Sequence, residues 1–312
     1  MKDEVAVAIA AGIIERRELL QSLTLDQQTT LLEKLFMEFF GDLHTTLQKW
    51  AALTGQTAQV DTGYIAQFVA SIVLKEPGQG FRGKGDDLAD GSEVKSAAII
   101  SGVDRPRWNH NMGTPAQDRT RSSKGKVLAS DEYLESPYLF YLLADRSASD
   151  THRPRAIRIR GWLIDAENDS GWRDLLRLYQ SQKADGQYNL QLHPPVAYDD
   201  DIVVNTLGNL DFSEVLVFDA RVLRSADDAS PLVQWVKPLE DDILPQVGRT
   251  RAIAYGGRGS RPSRLTGASD LVADIAVVAH LFPDVLGDEQ ADRLAIASAR
   301  EVTAEAETAD DD

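Results

Sequence analysis

The sequence predicts a mixed α/β or α+β fold in which helices flank a central β-sheet. Two observations lead to this prediction. Apolar residues recur at helical spacing through the first quarter of the chain. Beyond Pro77-Gly78 the apolar residues instead form short alternating or continuous runs, which are typical of strands. A chain of 312 residues with 43% hydrophobic residues is long enough to bury a large core around such a sheet.

Three regions follow from these patterns. We expect a helical N-terminal region at residues 1–76, a core with long polar and basic loops at 77–303 and a tail at 304–312. The tail consists mainly of Glu, Asp, Ala and Thr, so it has nothing to bury and is expected to be disordered.

The N-terminal helices are predicted from capping and breaking residues. Thr24 and Gln27 form a capping box at the start of one helix, and Gly41 is expected to end it. A second helix is predicted over 42–55 and a third from about Thr62.

The second part of the chain alternates strand and helix patterns. Residues 138–143 form a continuous apolar run typical of a buried strand. The other predicted elements are strands at 81–87, 92–99, 156–164 and 215–218 and helices at 172–182 and 268–280.

Composition and charge exclude several classes of protein. The chain has no cysteine, which excludes disulfides, thiolate catalysis and cysteine-ligated zinc. It lacks a signal peptide and any apolar run long enough to span a bilayer, so we expect a cytoplasmic protein. The net charge is −16, but residues 95–130 carry seven basic and two acidic residues. A negative protein with such a local basic stretch can still bind DNA there.

The stretch GDDLADGSEVKSAA at residues 85–98 gathers acidic residues before a strand. If Ala89-Asp90-Gly91 forms a three-residue turn, Asp87 lies opposite Glu93. A two-residue turn shifts the pairing by one position and puts Asp86 there instead. In either case Glu93 and Lys95 share one face of the strand, because side chains alternate along it.

Two carboxylates and a lysine on one strand face suit Mg²⁺-dependent chemistry on phosphates. Mg²⁺ takes oxygen ligands, usually one or two carboxylates together with waters and a phosphate. We therefore expect Asp87 and Glu93 to hold the metal and Lys95 to act with it on a water molecule. Gln67, on the preceding helix, could assist the metal, but a solvent-facing side chain is the favoured interpretation.

This arrangement resembles the PD-(D/E)XK nuclease motif, with Asp87, Glu93 and Lys95 at its three positions. The usual Pro before the Asp is replaced by Asp86, which leaves the choice between Asp86 and Asp87 open. The surroundings, EVKSA followed by DRPRWNHN, are most similar to type II restriction endonucleases of the MamI type. The resemblance implies a nuclease-like core and Mg²⁺-dependent hydrolysis of duplex DNA at a palindromic site. It also implies a homodimer, with a cognate DNA methyltransferase as a functional but not a physical partner.

Candidate DNA contacts lie in three basic or polar stretches. Arg pairs well with guanine edges, Asn pairs well with adenine, and Arg and Lys also bind phosphates. The candidates are Arg105, Arg107, Trp108, Asn109, His110 and Asn111, then Arg119, Arg121, Lys124 and Lys126, then Arg249, Arg251, Arg258, Arg261 and Arg264. For Trp108 the alternative is a side chain that fills the core.

The sequence gives little support for a zinc site or for a serine hydrolase. The five histidines lack metal-ligand spacing, so zinc is not expected, and no nucleophile elbow supports a serine hydrolase. Two alternatives to a restriction enzyme remain. One is a non-catalytic DNA-binding or assembly protein in which the acidic turn has no catalytic role. The other is a repair or recombination nuclease such as a junction resolvase.

Overall fold

The computed structural model describes about half of the chain, including the N-terminal helices and the central sheet. The described residues are 2–56, 61–78, 87–99, 108–110, 119–120, 123–124, 136–145, 157–166, 168–182, 190–192, 197–198, 201–202, 214–223, 231–241 and 281–287. The predicted helix at 268–280, the tail at 304–312 and most of the strand at 81–87 lie outside them. No helix among the described residues is long and apolar enough to cross a membrane.

The N-terminal region is helical, as predicted. Its helices are α1 (Lys2–Gln21), α2 (Leu25–Phe36), α3 (His44–Thr54) and α4 (Thr62–Leu74), and a π-helical segment, Met37–Leu43, joins α2 to α3.

The capping box is confirmed, but the predicted helix end at Gly41 is wrong. Thr24 Oγ1 accepts from the Gln27 backbone N–H at 3.2 Å, and Gln27 Oε1 accepts from the Thr24 N–H at 2.9 Å. At Gly41 the chain stays helical, and a Cβ there would lie 2.6 Å from Pro231 Cγ. The glycine therefore permits a close approach of the C-terminal part of the sheet, while Gly55, with φ 70°, ends α3.

The central sheet has five strands and is mixed, as predicted. In chain order the strands of the protein are β1 (Glu93–Ile99), β2 (Trp108–His110), β3 (Tyr138–Asp145), β4 (Ile157–Asp165), β5 (Leu190–Leu192), β6 (Ala197–Tyr198), β7 (Asp201–Ile202), β8 (Leu216–Leu223) and β9 (Leu232–Lys237). The order in the sheet is β1-β3-β4-β8-β9, with β1 parallel to β3 and the other pairs antiparallel. Strands β2 and β5 form a separate antiparallel pair, as do β6 and β7.

Each face of the sheet is covered by its own apolar cluster. On the first face, α2 and α4 pack against Val94, Phe140 and Phe218. On the second face, helix α5 (Ser170–Gln182) contributes Trp172, which packs with Tyr141 in the same cluster. The N-terminal helices and the sheet therefore share one core, which fixes α4 against the strand that carries Glu93 and Lys95.

Ion pairs link the strands on the second face. Arg158 of β4 donates through Nε to Asp219 Oδ1 of β8 at 3.0 Å. Arg160, two residues on, pairs with Asp145 of β3 at 3.5 Å. Both aspartates are buried, so each depends on an arginine to compensate its charge.

We predict that Arg158→Leu lowers the free energy of unfolding by about 3 kcal/mol, because the buried Asp219 carboxylate loses its main partner. Chemical denaturation measures this change. The matched control is Arg221→Leu, since Arg221 lies opposite Arg158 on β8 and forms no ion pair with the described residues. A loss at Arg158 no larger than that at Arg221 would contradict the prediction.

Candidate active site

The acidic stretch folds into the predicted three-residue turn. The Leu88 N–H donates to Ser92 O at 3.1 Å, and Gly91 adopts φ 92°, a conformation that glycine supplies without strain. Asp90 holds the turn, because its Oδ1 accepts from the Ser92 N–H at 2.8 Å. The strand pairing around this turn differs from that of the predicted hairpin. Leu88 forms an isolated bridge with Gly78, and β1 pairs with β3 among the described residues.

Asp87 lies at the start of β1, and both of its carboxylate oxygens accept hydrogen bonds. Oδ2 accepts from the Val94 N–H at 2.8 Å, and Oδ1 accepts from Gln67 Nε2 of α4 at 2.6 Å. Burial raises the pKa of the Asp87 carboxyl, and this effect outweighs the opposing influences of Lys95, Val94 and Gln67. The carboxylate is therefore held in one orientation in surroundings that disfavour its charge.

Gln67 is the residue that the sequence reasoning misjudged. The favoured interpretation was a solvent-facing side chain, but its amide lies at hydrogen-bond distance from Asp87. Helical periodicity does not reveal this contact. The position of Asp87 beside α4 depends on the turn at residues 89–91, which the helix pattern does not describe. The signal available in the sequence was a polar residue close to the apolar face of α4.

Glu93 and Lys95 lie on one face of β1, as the alternation predicted. Lys95 Nζ donates to Glu93 Oε1, and both side chains are mostly buried. The positive charge of Lys95 also acts on Asp87. Three charged side chains therefore meet at the beginning of β1, an edge strand of the sheet as far as the described residues go.

The carboxylates at this site fit a hard divalent cation. Asp87 and Glu93 offer oxygen ligands of the kind that Mg²⁺ prefers, and the burial of Asp87 creates a need for a compensating positive charge. The described residues contain no group of three or more His, Asp or Glu that could enclose an ion. The set suits a metal that keeps waters and takes part of its coordination from a phosphate.

The structure corrects the prediction that Trp108 contacts DNA. The Trp108 side chain is completely buried and lies 4.5 Å from Tyr141 and 5.4 Å from Trp162, measured between ring centroids. Its indole N–H donates to Leu142 O at 3.2 Å. Trp108 therefore belongs to the core of the second face and anchors β2 beside the sheet.

The other predicted DNA contacts are only partly described. Asn109 and His110 lie on β2, which pairs with β5, and Arg119 and Lys124 are exposed. The remaining candidates lie outside the described residues: Asp86 at the turn, and Arg105, Arg107, Asn111, Arg121, Lys126, Arg249, Arg251, Arg258, Arg261 and Arg264 in the loops.

Comparison with known proteins identifies the family. The profile of the MamI restriction endonuclease family matches residues 49–223, which include α4, the acidic turn and β1. The chain is also 59% identical over 309 residues to "Type II restriction enzyme MamI" of Microbacterium ammoniaphilum, covering 98% of this chain and 99% of that protein. The chain belongs to the MamI restriction endonuclease family. It is accordingly a site-specific endonuclease, and its substrate is double-stranded DNA.

Family membership confirms the similarity inferred from the acidic turn. It favours a restriction enzyme over the two alternatives, a non-catalytic DNA-binding protein and a junction resolvase. No solved structure shows a significant match to the chain. The roles of individual residues therefore depend on the contacts within this structure.

Proposed function

We propose that the chain is a Mg²⁺-dependent type II restriction enzyme with Asp87, Glu93 and Lys95 as its catalytic residues. The observation that carries this proposal is the grouping of these three side chains at the start of β1. Lys95 is paired with Glu93 and acts electrostatically on Asp87, which Val94 and Gln67 hold in place. Membership of the restriction endonuclease family supplies the reaction for which such a set is suited.

Each residue has a role that follows from its contacts. Asp87 and Glu93 would hold the cation, which when bound activates water and stabilises charge on the scissile phosphate. Lys95, as an ammonium group next to Glu93, orients the attacking water and offsets the negative charge that develops on phosphate oxygens. The water gives up a proton as its oxygen adds to phosphorus, the bond from phosphorus to the leaving sugar oxygen breaks, and that oxygen takes up a proton.

The decisive experiment is digestion of plasmid and linear duplex DNA. We expect discrete bands with Mg²⁺ and none when a chelator removes the metal. Discrete fragments from linear duplex DNA would also exclude a junction resolvase. Digestion that proceeds in the presence of the chelator, or yields no discrete fragments, would contradict the proposal.

A homodimer acting at a palindromic site completes the proposal. Each chain has one set of Asp87, Glu93 and Lys95 at β1, whereas a double-strand break requires two strands to be cut. Two-fold symmetry of the enzyme matches the symmetry of a palindrome. A cognate DNA methyltransferase is the expected functional partner, and the cytoplasm is the expected location.

We predict that Gln67→Leu lowers cleavage about 10–100-fold and raises the Mg²⁺ concentration needed for half-maximal rate. The substitution removes the amide that donates to Asp87 Oδ1 while keeping the size of the side chain. Cleavage rates over a Mg²⁺ titration measure both effects. Gln48→Leu on α3 is the matched control, because Gln48 is exposed. Equal rates for the two variants would show that Gln67 does not position Asp87.

The basic stretches should divide into two kinds of DNA contact. If Arg105, Arg107 and Asn109 read base edges, alanine at each costs about 1–3 kcal/mol at the specific site and relaxes discrimination. The remaining arginines are expected to meet phosphates, so their loss weakens binding to all sequences and reduces the salt dependence. This second set comprises Arg249, Arg251, Arg258, Arg261 and Arg264. Binding titrations of specific and scrambled duplexes in Ca²⁺ at several salt concentrations distinguish the roles, and unchanged affinity in both sets would contradict the assignment.

A further inference from the structure

The end of α4 is tied to the N-terminal helices by two side-chain contacts. Arg17 of α1 donates through Nε to Glu76 Oε1 at 3.0 Å, and its Nη2 donates to the same oxygen. The two side chains are 8% and 9% exposed, so the ion pair is buried. Next to it, Lys75 Nζ donates to Leu23 O at 2.6 Å. Residues 75 and 76 are therefore anchored to α1 and to the segment that joins α1 to α2.

The backbone at the end of α4 needs this support. Among the described residues other than glycine, Lys75 alone has a positive φ, of 54°. A side chain disfavours this left-handed conformation, which persists where the surrounding structure enforces it. The direction in which the chain leaves α4 is therefore set by the contacts with α1 and Leu23.

The residues that leave α4 hold the acidic turn. The Ala89 N–H donates to Pro77 O at 2.8 Å, and Leu88 forms a bridge with Gly78. Leu88 and Ala89 are completely buried. A Cβ at Gly78 would lie 3.8 Å from Asp87 O, so these two backbones are neighbours. The anchored segment is therefore the one against which the turn is placed.

A buried ion pair suits positioning better than stabilisation. Two charges lose their hydration when they are buried, and an apolar pair of similar size often gives equal or greater stability. A charged pair adds orientation, because hydrogen bonds between ionised groups are shorter and roughly twice as strong as neutral ones. Arg17 and Glu76 are therefore suited to fix the place of the neighbouring residues 77 and 78.

We propose that Arg17 and Glu76 are positioning residues for cleavage, which hold the acidic turn in its catalytic place through Pro77 and Gly78. Neither residue touches a reacting group, and both act through Asp87. This inference rests on the proposed function, because that function assigns the catalytic carboxylate to Asp87.

The pair also responds to protons. Burial raises the pKa of the Glu76 carboxyl to about 7, Arg17 opposes this effect, and the charge of Asp90 in the turn adds to it. Glu76 is therefore mainly ionised above pH 7 and mainly protonated below it. Protonation replaces charge-assisted hydrogen bonds with weaker neutral ones, which loosens the hold on the turn. A raised carboxyl pKa makes the folded protein the better proton acceptor, so this protonation does not lower the stability of the fold.

The test compares wild type with Glu76→Gln, which keeps the shape of the side chain and mimics the protonated acid. Single-turnover cleavage of a saturating one-site plasmid is measured at two pH values. Wild type should be about tenfold faster at about pH 8.5 and within about twofold of the variant at about pH 6. Titration of other groups, such as Asp87, affects both proteins alike and cancels in this ratio.

Two further variants keep the test decisive. The control Asp284→Asn removes an exposed carboxylate that pairs with Lys34 of α2, and it should match wild type at both pH values. If Glu76→Gln does not fold, Arg17→Met combined with Glu76→Leu replaces the pair by apolar side chains. The rate of wild type relative to this double variant should also fall about fivefold between the two pH values, because the double variant lacks the titrating group.

Hydrogen exchange provides a measurement that needs no cleavage. At the higher pH, the Ala89 N–H should exchange at least about tenfold faster in Glu76→Gln than in wild type or the control. Unchanged exchange would overturn the proposal, and so would faster exchange with a rate ratio that is the same at both pH values. If wild type cuts no DNA, the proposed function fails, and the exchange rates alone decide whether Arg17 and Glu76 hold the turn.

Discussion

Glu93→Ala and Lys95→Ala should each reduce cleavage by a factor on the order of 10³ or more, with folding intact. Glu93 loses a carboxylate proposed to hold the cation, and Lys95 loses the ammonium group that offsets charge on the phosphate. The two side chains pair with each other at the start of β1, and neither belongs to the apolar clusters that cover the sheet, so the core should tolerate their removal.

Initial rates on a plasmid with one site measure the effect, and thermal unfolding verifies the fold. Asp165→Asn and Lys237→Ala are suitable controls, because they remove the same charges from other strands of the sheet. Cutting by either active-site variant within tenfold of wild type would refute the assignment.

Much of the fold was predictable because its local signals agree with its tertiary contacts. The capping box at Thr24 and Gln27 and the buried run of β3 are both realised as predicted. In β3 all eight residues are buried, since helices cover both faces of the sheet, and a continuous apolar run is what such a strand requires. The period-two alternation of Glu93, Val94 and Lys95 likewise sufficed to separate polar from core-facing side chains.

The failures arise where a distant segment determines the outcome. A glycine at position 41 predicts a helix end, but in the structure it provides space for Pro231, which is 190 residues further along the chain. Trp108 stands among polar residues, yet its ring packs against Tyr141 and Trp162. The parallel pairing of β1 with β3 was equally invisible, because the two strands are far apart in sequence.

The same reasoning explains what could be predicted about the site. Glu93 and Lys95 are two residues apart, so strand geometry alone brings them together. Asp87 required a choice between two turns that the sequence left open, and the structure shows the three-residue turn, with Gly91 at φ 92°. Gln67 required the packing of α4 against the turn, which depends on the apolar cluster of the first face and has no local signature.

The last prediction concerns the choice between Asp87 and Asp86. Asp87→Asn should reduce Mg²⁺-dependent cleavage about 100-fold or more, whereas Asp86→Asn should change it by less than about tenfold. The reason is the three-residue turn, which orients the Asp87 carboxylate through Val94 and Gln67 beside Lys95. Because burial raises the pKa of Asp87, its charge is unfavourable in the folded protein, and a neutral Asn should leave the melting temperature unchanged or higher.

Measuring cleavage and melting temperature on the same two variants separates chemistry from folding. A loss of cleavage with retained stability at Asp87 is the signature of a group kept for function rather than for the fold. The reverse order of effects would move the proposed ligand to Asp86. Equal, mild effects from both would mean that the turn takes no part in catalysis, and the carboxylate partner of Glu93 would then have to come from another segment of the chain.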